Sequence, residues 1–243
     1  MVGFLNIMKY AKDIDCKNII FSSSATVYSE GPLPFKEEGP NVGALSTRYS
    51  TIHSAAHPYG ATKVMCEQIL HDVAKSDSTW NITILRYFNP VANHSTGIIG
   101  DNYKPGKANN LFPAILGALA TGNELNVFGS DYATIDGTPA RDYIHVCDLA
   151  RAHVLAILNN HGEALKCYNV GVGKPYTVME VINEFIKQGV TVKYKLCPRR
   201  EGDAPVSYCD NKKITEELEW VPKFNLENMV RDTLKYYIQN MKS

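Results

Sequence analysis

Tyr59 and Lys63 stand four residues apart in the run Tyr59-Gly60-Ala61-Thr62-Lys63. On a helix, positions i and i+4 share a face, so the Lys63 ammonium can lie beside the Tyr59 phenol. A phenol ordinarily titrates at about pH 10 and is a poor base at neutrality, but a neighbouring positive charge favours the phenolate. Alone, Tyr-x-x-x-Lys describes many surface helices with a solvated lysine. Its meaning comes from Ser22-Ser23-Ser24, which close the apolar run Asn18-Ile19-Ile20-Phe21. That run reads as a buried strand, and open α/β sheets bind ligands outside the carboxyl ends of their strands. Ser24 is then placed to present its hydroxyl beside Tyr59, although a serine run is also an ordinary polar exit from a strand.

The elements that must hold these groups follow from the hydrophobic pattern. Phe4, Leu5, Met8 and Ala11 recur at helical spacing and predict a helix over 3–13. Residues 29–57 are loop-like. A helix is expected over 58–74, with Pro58 near its first turn, and a strand over 82–88. Strand, helix and strand in this order fit a parallel βαβ unit. Later segments predict helices over 109–121, 147–159, 177–187 and 225–240, and strands over 125–128, 141–146, 166–170 and 190–196. The expected class is α/β with a smaller mixed lobe. Gly171-Val172-Gly173 follows a strand and precedes a helix but lacks the third glycine of a phosphate-binding loop, so it reads as a tight turn. His145 lies in an apolar strand and reads as structural.

Composition narrows the function classes. The chain has 243 residues, 44% hydrophobic and 21% charged, with formal net charge zero. No basic stripe favours nucleic acid, and no apolar run is long enough for a membrane span. Six cysteines at irregular spacing, with no Cys-x-x-Cys pair, predict neither disulfides nor a metal site. Scattered thiols suggest a reducing, cytoplasmic location.

Ser24, Tyr59 and Lys63, in that order, resemble the catalytic trio of the short-chain dehydrogenase/reductase superfamily. Phe21-Ser22-Ser23-Ser24-Ala25-Thr26-Val27-Tyr28 resembles the catalytic-serine strand of UDP-galactose (UDP-glucose) 4-epimerases. Leu85-Arg86-Tyr87-Phe88-Asn89-Pro90, Asn109-Asn110-Leu111, Arg141-Asp142-Tyr143-Ile144-His145-Val146 and Pro198-Arg199-Arg200-Glu201-Gly202-Asp203 resemble later motifs of that family. The resemblance runs over nearly the whole chain. It departs in the loop 43–57, which is longer than the family's, and at Asn93, where a small residue is usual.

The resemblance implies a fold and roles. The fold is a partial Rossmann-like parallel sheet, its amino-terminal strands missing, with a smaller mixed α/β substrate lobe. Residues 1–90 are implied to be the remainder of a dinucleotide-binding domain. Residues 91–243 are mainly a nucleotide-sugar-binding lobe, with some segments returning to the first domain. The implied cofactor is NAD, contacted by Ser24, Tyr59, Lys63 and Phe88. Tyr59 is implied as the base on the sugar 4-hydroxyl, with Ser24 hydrogen-bonded to the same oxygen and Lys63 on the nicotinamide ribose. Asn89, Asn110 and Leu111 are implied contacts to the nucleotide-sugar, Asn126, Val127 and Phe128 to the uracil, Arg141 and Arg200 to the diphosphate, and Asp203 to the uridine ribose. Ser207 stands where the family gates its sugar pocket, and a small residue there admits a 2-acetamido group. The implied reaction is epimerisation at C4 of UDP-hexoses, extending to UDP-N-acetylhexosamines, by a homodimer. A 4,6-dehydratase would carry Asp-Glu where this chain has Ala25-Thr26. A non-catalytic UDP-sugar-binding fragment is the remaining alternative: no glycine-rich strand–turn–helix unit precedes Ser24, so this chain alone is expected neither to retain NAD nor to epimerise.

Overall fold

The computed structural model describes residues 1–28, 31–38, 58–100 and 110–240. The expected long loop 43–57, and Asn109 of its motif, lie outside the described residues. In chain order the first elements are α1 (Val2–Asp13), β1 (Asn18–Ser24), a 3-10 turn (Ala25–Val27), α2 (Pro58–Ser76), β2 (Asn81–Tyr87), β3 (Asn89–Val91), α3 (Leu111–Thr121) and β4 (Leu125–Phe128). They continue with β5 (Ala140–His145), α4 (Val146–Leu158), β6 (Leu165–Val170), β7 (Pro175–Thr177), α5 (Val178–Lys187), β8 (Tyr194–Cys197), β9 (Val206–Ser207), α6 (Lys212–Leu218) and α7 (Leu226–Asn240). The chain forms two units: Met1–Phe88 with Ala150–Gly171 and Cys209–Val221, and Asn89–Leu149 with Val172–Tyr208 and Pro222–Ser243.

The first unit is built on a parallel sheet in the order β1-β2-β6. β1 pairs with β2 from Asn18↔Asn81 to Ser24↔Tyr87, and α2 makes the crossover, completing the expected βαβ unit. The strand does not stop at Phe21, because ladder hydrogen bonds come from the backbone and the serines continue the pairing. Central β2 is buried from Ile82 to Arg86, as a parallel strand covered on both faces must be. Met8 and Ala11 of α1, Leu70 and Ala74 of α2, and Trp80 pack with Ile82 and Ile84. Leu5 does not join them: it is 48% exposed, one helical step round from the face that carries Phe4, Met8 and Ala11. A second small core gathers Val27, Tyr28, Phe35, Val64, Phe88 and Cys209, with the Tyr28 and Phe35 rings stacked at 4.9 Å.

In the second unit β5 lies beside three strands: β3, parallel, at Asn89↔Tyr143; β7, antiparallel, at Ala140↔Thr177; and β9, parallel, at Arg141↔Ser207. β4 and β8 form a separate parallel pair. Phe112 and Ile115 of α3, Val181, Ile182 and Phe185 of α5, and Met229 and Val230 of α7 supply the core. Gly122 ends α3 in the left-handed conformation at φ +71°, where glycine carries no steric penalty. All six cysteines are thiols. No described helix is long and apolar enough to cross a membrane.

Candidate active site

In the first unit the serine end of β1 meets the first turns of α2. Lys63 Nζ donates to the Ser22 carbonyl at 2.8 Å and lies 5.1 Å from the centroid of the Phe21 ring. It also stands over the Tyr59 ring, 5.6 Å from its centroid, as the i, i+4 spacing predicted. Tyr59 is 56% exposed. Among the described residues no hydrogen bond joins its hydroxyl to Ser24, so the structure brings Tyr59 and Lys63 together and leaves Ser24 nearby on the strand end.

Ser24 is the cap of the 3-10 turn. Its Oγ accepts from Thr26 N at 3.2 Å and from Thr26 Oγ1 at 3.0 Å. A hydroxyl has two acceptor positions and one proton. Both acceptor positions are taken, so Ser24 can meet a further oxygen only as a donor. Thr26 is thus part of the arrangement, a role its sequence position did not reveal.

The Phe88 ring is 4% exposed inside the small core, and its backbone N–H donates to Val170 O at 3.1 Å, so the ring packs there. The reason is register: Phe88 follows directly on β2, on the side that faces Tyr28 and Val64.

The second unit gathers the arginines. Asp203 is an ion-pair partner of Arg141 through Oδ1, and Arg200 Nη2 approaches its Oδ2 at 3.5 Å. Arg141 also donates to the Ala140 carbonyl at 2.8 Å, and Ser207 is its neighbour across the β5–β9 ladder. The Arg200 guanidinium lies over the Phe128 ring at 4.7 Å. Tyr132 was not foreseen: its hydroxyl donates to Asp203 O at 3.2 Å, and the Arg199 guanidinium covers its ring at 4.1 Å while bonding Asp131 at 2.7 Å.

The remaining expected contacts are distributed by strand alternation. On β4, Asn126 is exposed and Phe128 half-buried, whereas Val127 is buried in the core, so its side chain is not available to a ligand. Asn89 Nδ2 donates to Asp142 O at 3.1 Å. Asn110 caps α3 through its backbone only and is exposed, and the half-buried Leu111 packs on the core.

The parallel sheet, with Ser24 at a strand's carboxyl end and Tyr59 and Lys63 on the crossover helix, defines a Rossmann-type enzyme of the short-chain dehydrogenase/reductase class. A family profile described as "NAD dependent epimerase/dehydratase family" matches residues 1–171. The UDP-glucose 4-epimerase of Yersinia pestis is 41% identical over 242 residues, covering 98% of this chain and 68% of that protein. The crystal structure of UDP-glucose 4-epimerase from Bifidobacterium longum in complex with NAD+ and UDP superposes with a TM-score of 0.86 at 40% identity, over 98% of this chain and 68% of that one. The Stenotrophomonas maltophila enzyme, with bound NAD and formylated UDP-arabinopyranose, gives 0.89 at 37% identity, over 99% and 69%. The chain belongs to the NAD dependent epimerase/dehydratase family and, within it, to the UDP-glucose 4-epimerases.

Proposed function

We propose that this protein serves NAD-dependent epimerisation at C4 of UDP-hexoses, interconverting UDP-galactose and UDP-glucose. The observation that carries the reading is the docking of Lys63 on the serine end of β1 with the Tyr59 ring beside it. The donor set fits the nicotinamide-ribose end of NAD: an ammonium has three protons, and Lys63 spends one on Ser22. When bound, NAD supplies the hydride acceptor and donor at sugar C4. Tyr59 then takes the proton of the 4-hydroxyl, with Lys63 beside its ring. Ser24, restricted to donating, holds the same oxygen. Arg141 and Arg200 suit the diphosphate because a guanidinium presents a fixed, permanently charged fork to phosphate oxygens. Asp203 pairs with both arginines, which supports a role in orienting them, and it is assigned to the uridine ribose. Asn89, Asn110, Leu111, Asn126 and Phe128 are assigned to the rest of the nucleotide-sugar. Anchoring at the diphosphate lets the hexose present its two faces in turn.

The test is Tyr59→Phe in the protein as its gene encodes it. Loss of the base lowers turnover of UDP-galactose by about 10²–10⁴-fold, and activity within a few-fold of the parent would overturn the assignment. Ser207, small and beside Arg141, extends the substrates to UDP-N-acetylhexosamines. The same assay with UDP-GalNAc decides this, absence of turnover refuting it.

The protein is further assigned as a cytoplasmic homodimer. Val2, Leu5, Ile7 and Tyr10 leave α1 with apolar surface, and C2 pairing is the commonest way to cover such a face. Light scattering of the protein as its gene encodes it should give twice the mass of its own chain, and a monomer counts against pairing. Six thiols fit a reducing compartment, which cell fractionation tests.

A further inference from the structure

A polar row crosses the sheet of the first unit one step before Ser24. The registers pair Ser23 with Arg86 and Arg86 with Asn169 across β1, β2 and β6. All three are buried, Arg86 at 1% exposure. Central parallel strands covered on both faces ordinarily carry apolar side chains at such depth. Here Glu67 of α2, equally buried, receives Arg86 Nε at 3.1 Å and Nη2 at 2.6 Å and is hydrogen-bonded by Ser23 Oγ. Arg86 Nη1 donates to the Tyr28 hydroxyl at 3.1 Å, and that hydroxyl donates to Asn169 Oδ1 at 2.5 Å.

Stability does not account for this row. A buried ion pair is often no more stabilising than apolar residues of equal volume, because desolvation offsets the attraction. What the pair adds is direction and register. Glu67 lies four residues beyond Lys63 and eight beyond Tyr59, on one helix face. Ser23 directly precedes Ser24 on β1, and Arg86 directly precedes Tyr87, the partner of Ser24 on β2. Lys63 to Ser22 and Glu67 to Ser23 and Arg86 are therefore two fixed points, one turn apart, between α2 and the strand end. An apolar contact would tolerate sliding. A slip of one residue moves a helix by about 1.5 Å and turns it by about 100°, which carries Tyr59 out of the roughly 2.6–3.2 Å reach that proton transfer requires.

We propose that Arg86 and Glu67 are positioning residues that fix the register of α2 on β1, and so the place of Tyr59 and Lys63 relative to Ser24. The functional part of this inference rests on the epimerase reading; the structural part does not. Single substitutions strand a buried charge, so the test is the paired variant Glu67→Met/Arg86→Met in the gene-encoded protein, beside the parent and Tyr59→Phe. The paired variant is expected to melt within a few degrees of the parent. Its crystal structure is expected to show the Lys63–Ser22 hydrogen bond broken and α2 displaced by about 1 Å or more along β1. Turnover should fall by about 100-fold, with KM for UDP-galactose within about threefold, because Arg141 and Arg200 belong to the other unit and are untouched. An unmoved Lys63–Ser22 contact overturns the proposal, as does a kcat within about threefold of the parent. Loss of folding in the paired variant also overturns it, since the row would then be holding the sheet and not the register. If the parent itself does not epimerise, the functional reading fails, and the crystallographic comparison still decides the positioning.

Discussion

His145 is committed to one neutral tautomer by its neighbours. Its Nδ1 accepts from Cys147 N at 3.0 Å, so the ring proton sits on Nε2 and faces Asp232 Oδ2 at 3.3 Å. Arg231 Nε holds the other oxygen of Asp232 at 2.9 Å, and the Phe224 ring stacks on the imidazole at 4.2 Å. Burial pushes the His145 pKa below the ordinary histidine value and outweighs the pull of Asp232. Protonation would put a second N–H against the Cys147 donor. A depressed folded-state pKa favours the neutral form, so its contribution to stability is complete above about pH 6.5 and is lost as pH falls through the depressed value. His145→Gln should therefore lower the melting temperature at about pH 7.5 but reduce the further drop between about pH 7 and about pH 5. Thermal melts of both proteins across that range check it, and equal drops would remove His145 from the account. At this scale the sequence was legible where spacing carries chemistry: Tyr59 and Lys63 meet because four residues make one helical turn. It was opaque at Arg86 and Glu67, since nothing local distinguishes a charge that will be buried. It was equally opaque at Tyr132, whose partner Asp203 is brought in by the fold. The inward turn of Val127 was open to reading from the alternation along β4.

Thr177 shows how an element's end is set. Its Oγ1 accepts from Glu180 N at 3.0 Å, and Glu180 Oε2 accepts from Thr177 N at 2.7 Å, a reciprocal capping box. Thr177 also donates to the Asp136 carboxylate, which in turn accepts from Thr138 N at 2.9 Å, tying the loop before β5 to the helix start. Helix α5 carries Val181, Ile182 and Phe185 into the second core, so fraying its first turn loosens that core. Thr177→Ala should cost about 0.5–2 kcal/mol, nearer the upper figure because Asp136 loses a partner as well. A urea midpoint unchanged from the parent would show that the cap is dispensable. The pattern of apolar residues located α5 but began it at the cap, one residue early. Strand β8 starts at Tyr194 and not at 190, because its partner β4 begins at Leu125, the residue paired with Tyr194. β3, β7 and β9 are two or three residues long, too short for alternation to register. α6 was missed because its mostly charged run buries only Ile214 and Leu218.

At the scale of the whole molecule, one junction has the form of a phosphate site and is closed from within. The pyrophosphate of a dinucleotide is met by backbone N–H groups at a strand–glycine turn–helix junction, where the helix amino terminus faces the phosphates. Gly171-Val172-Gly173 follows β6 directly, but its donors are spent. Val172 N and Gly173 N both point at the Asp142 carboxylate, at 2.7 and 2.9 Å. A carboxylate already seated there repels a phosphate as well as occupying its donors. The tight turn expected from the sequence is thus an internal anchor of β5. Asp142→Ala should leave both N–H groups without that carboxylate and cost about 1–3 kcal/mol of stability. Urea unfolding measures this directly, and a midpoint unchanged from the parent would show that the anchor is dispensable.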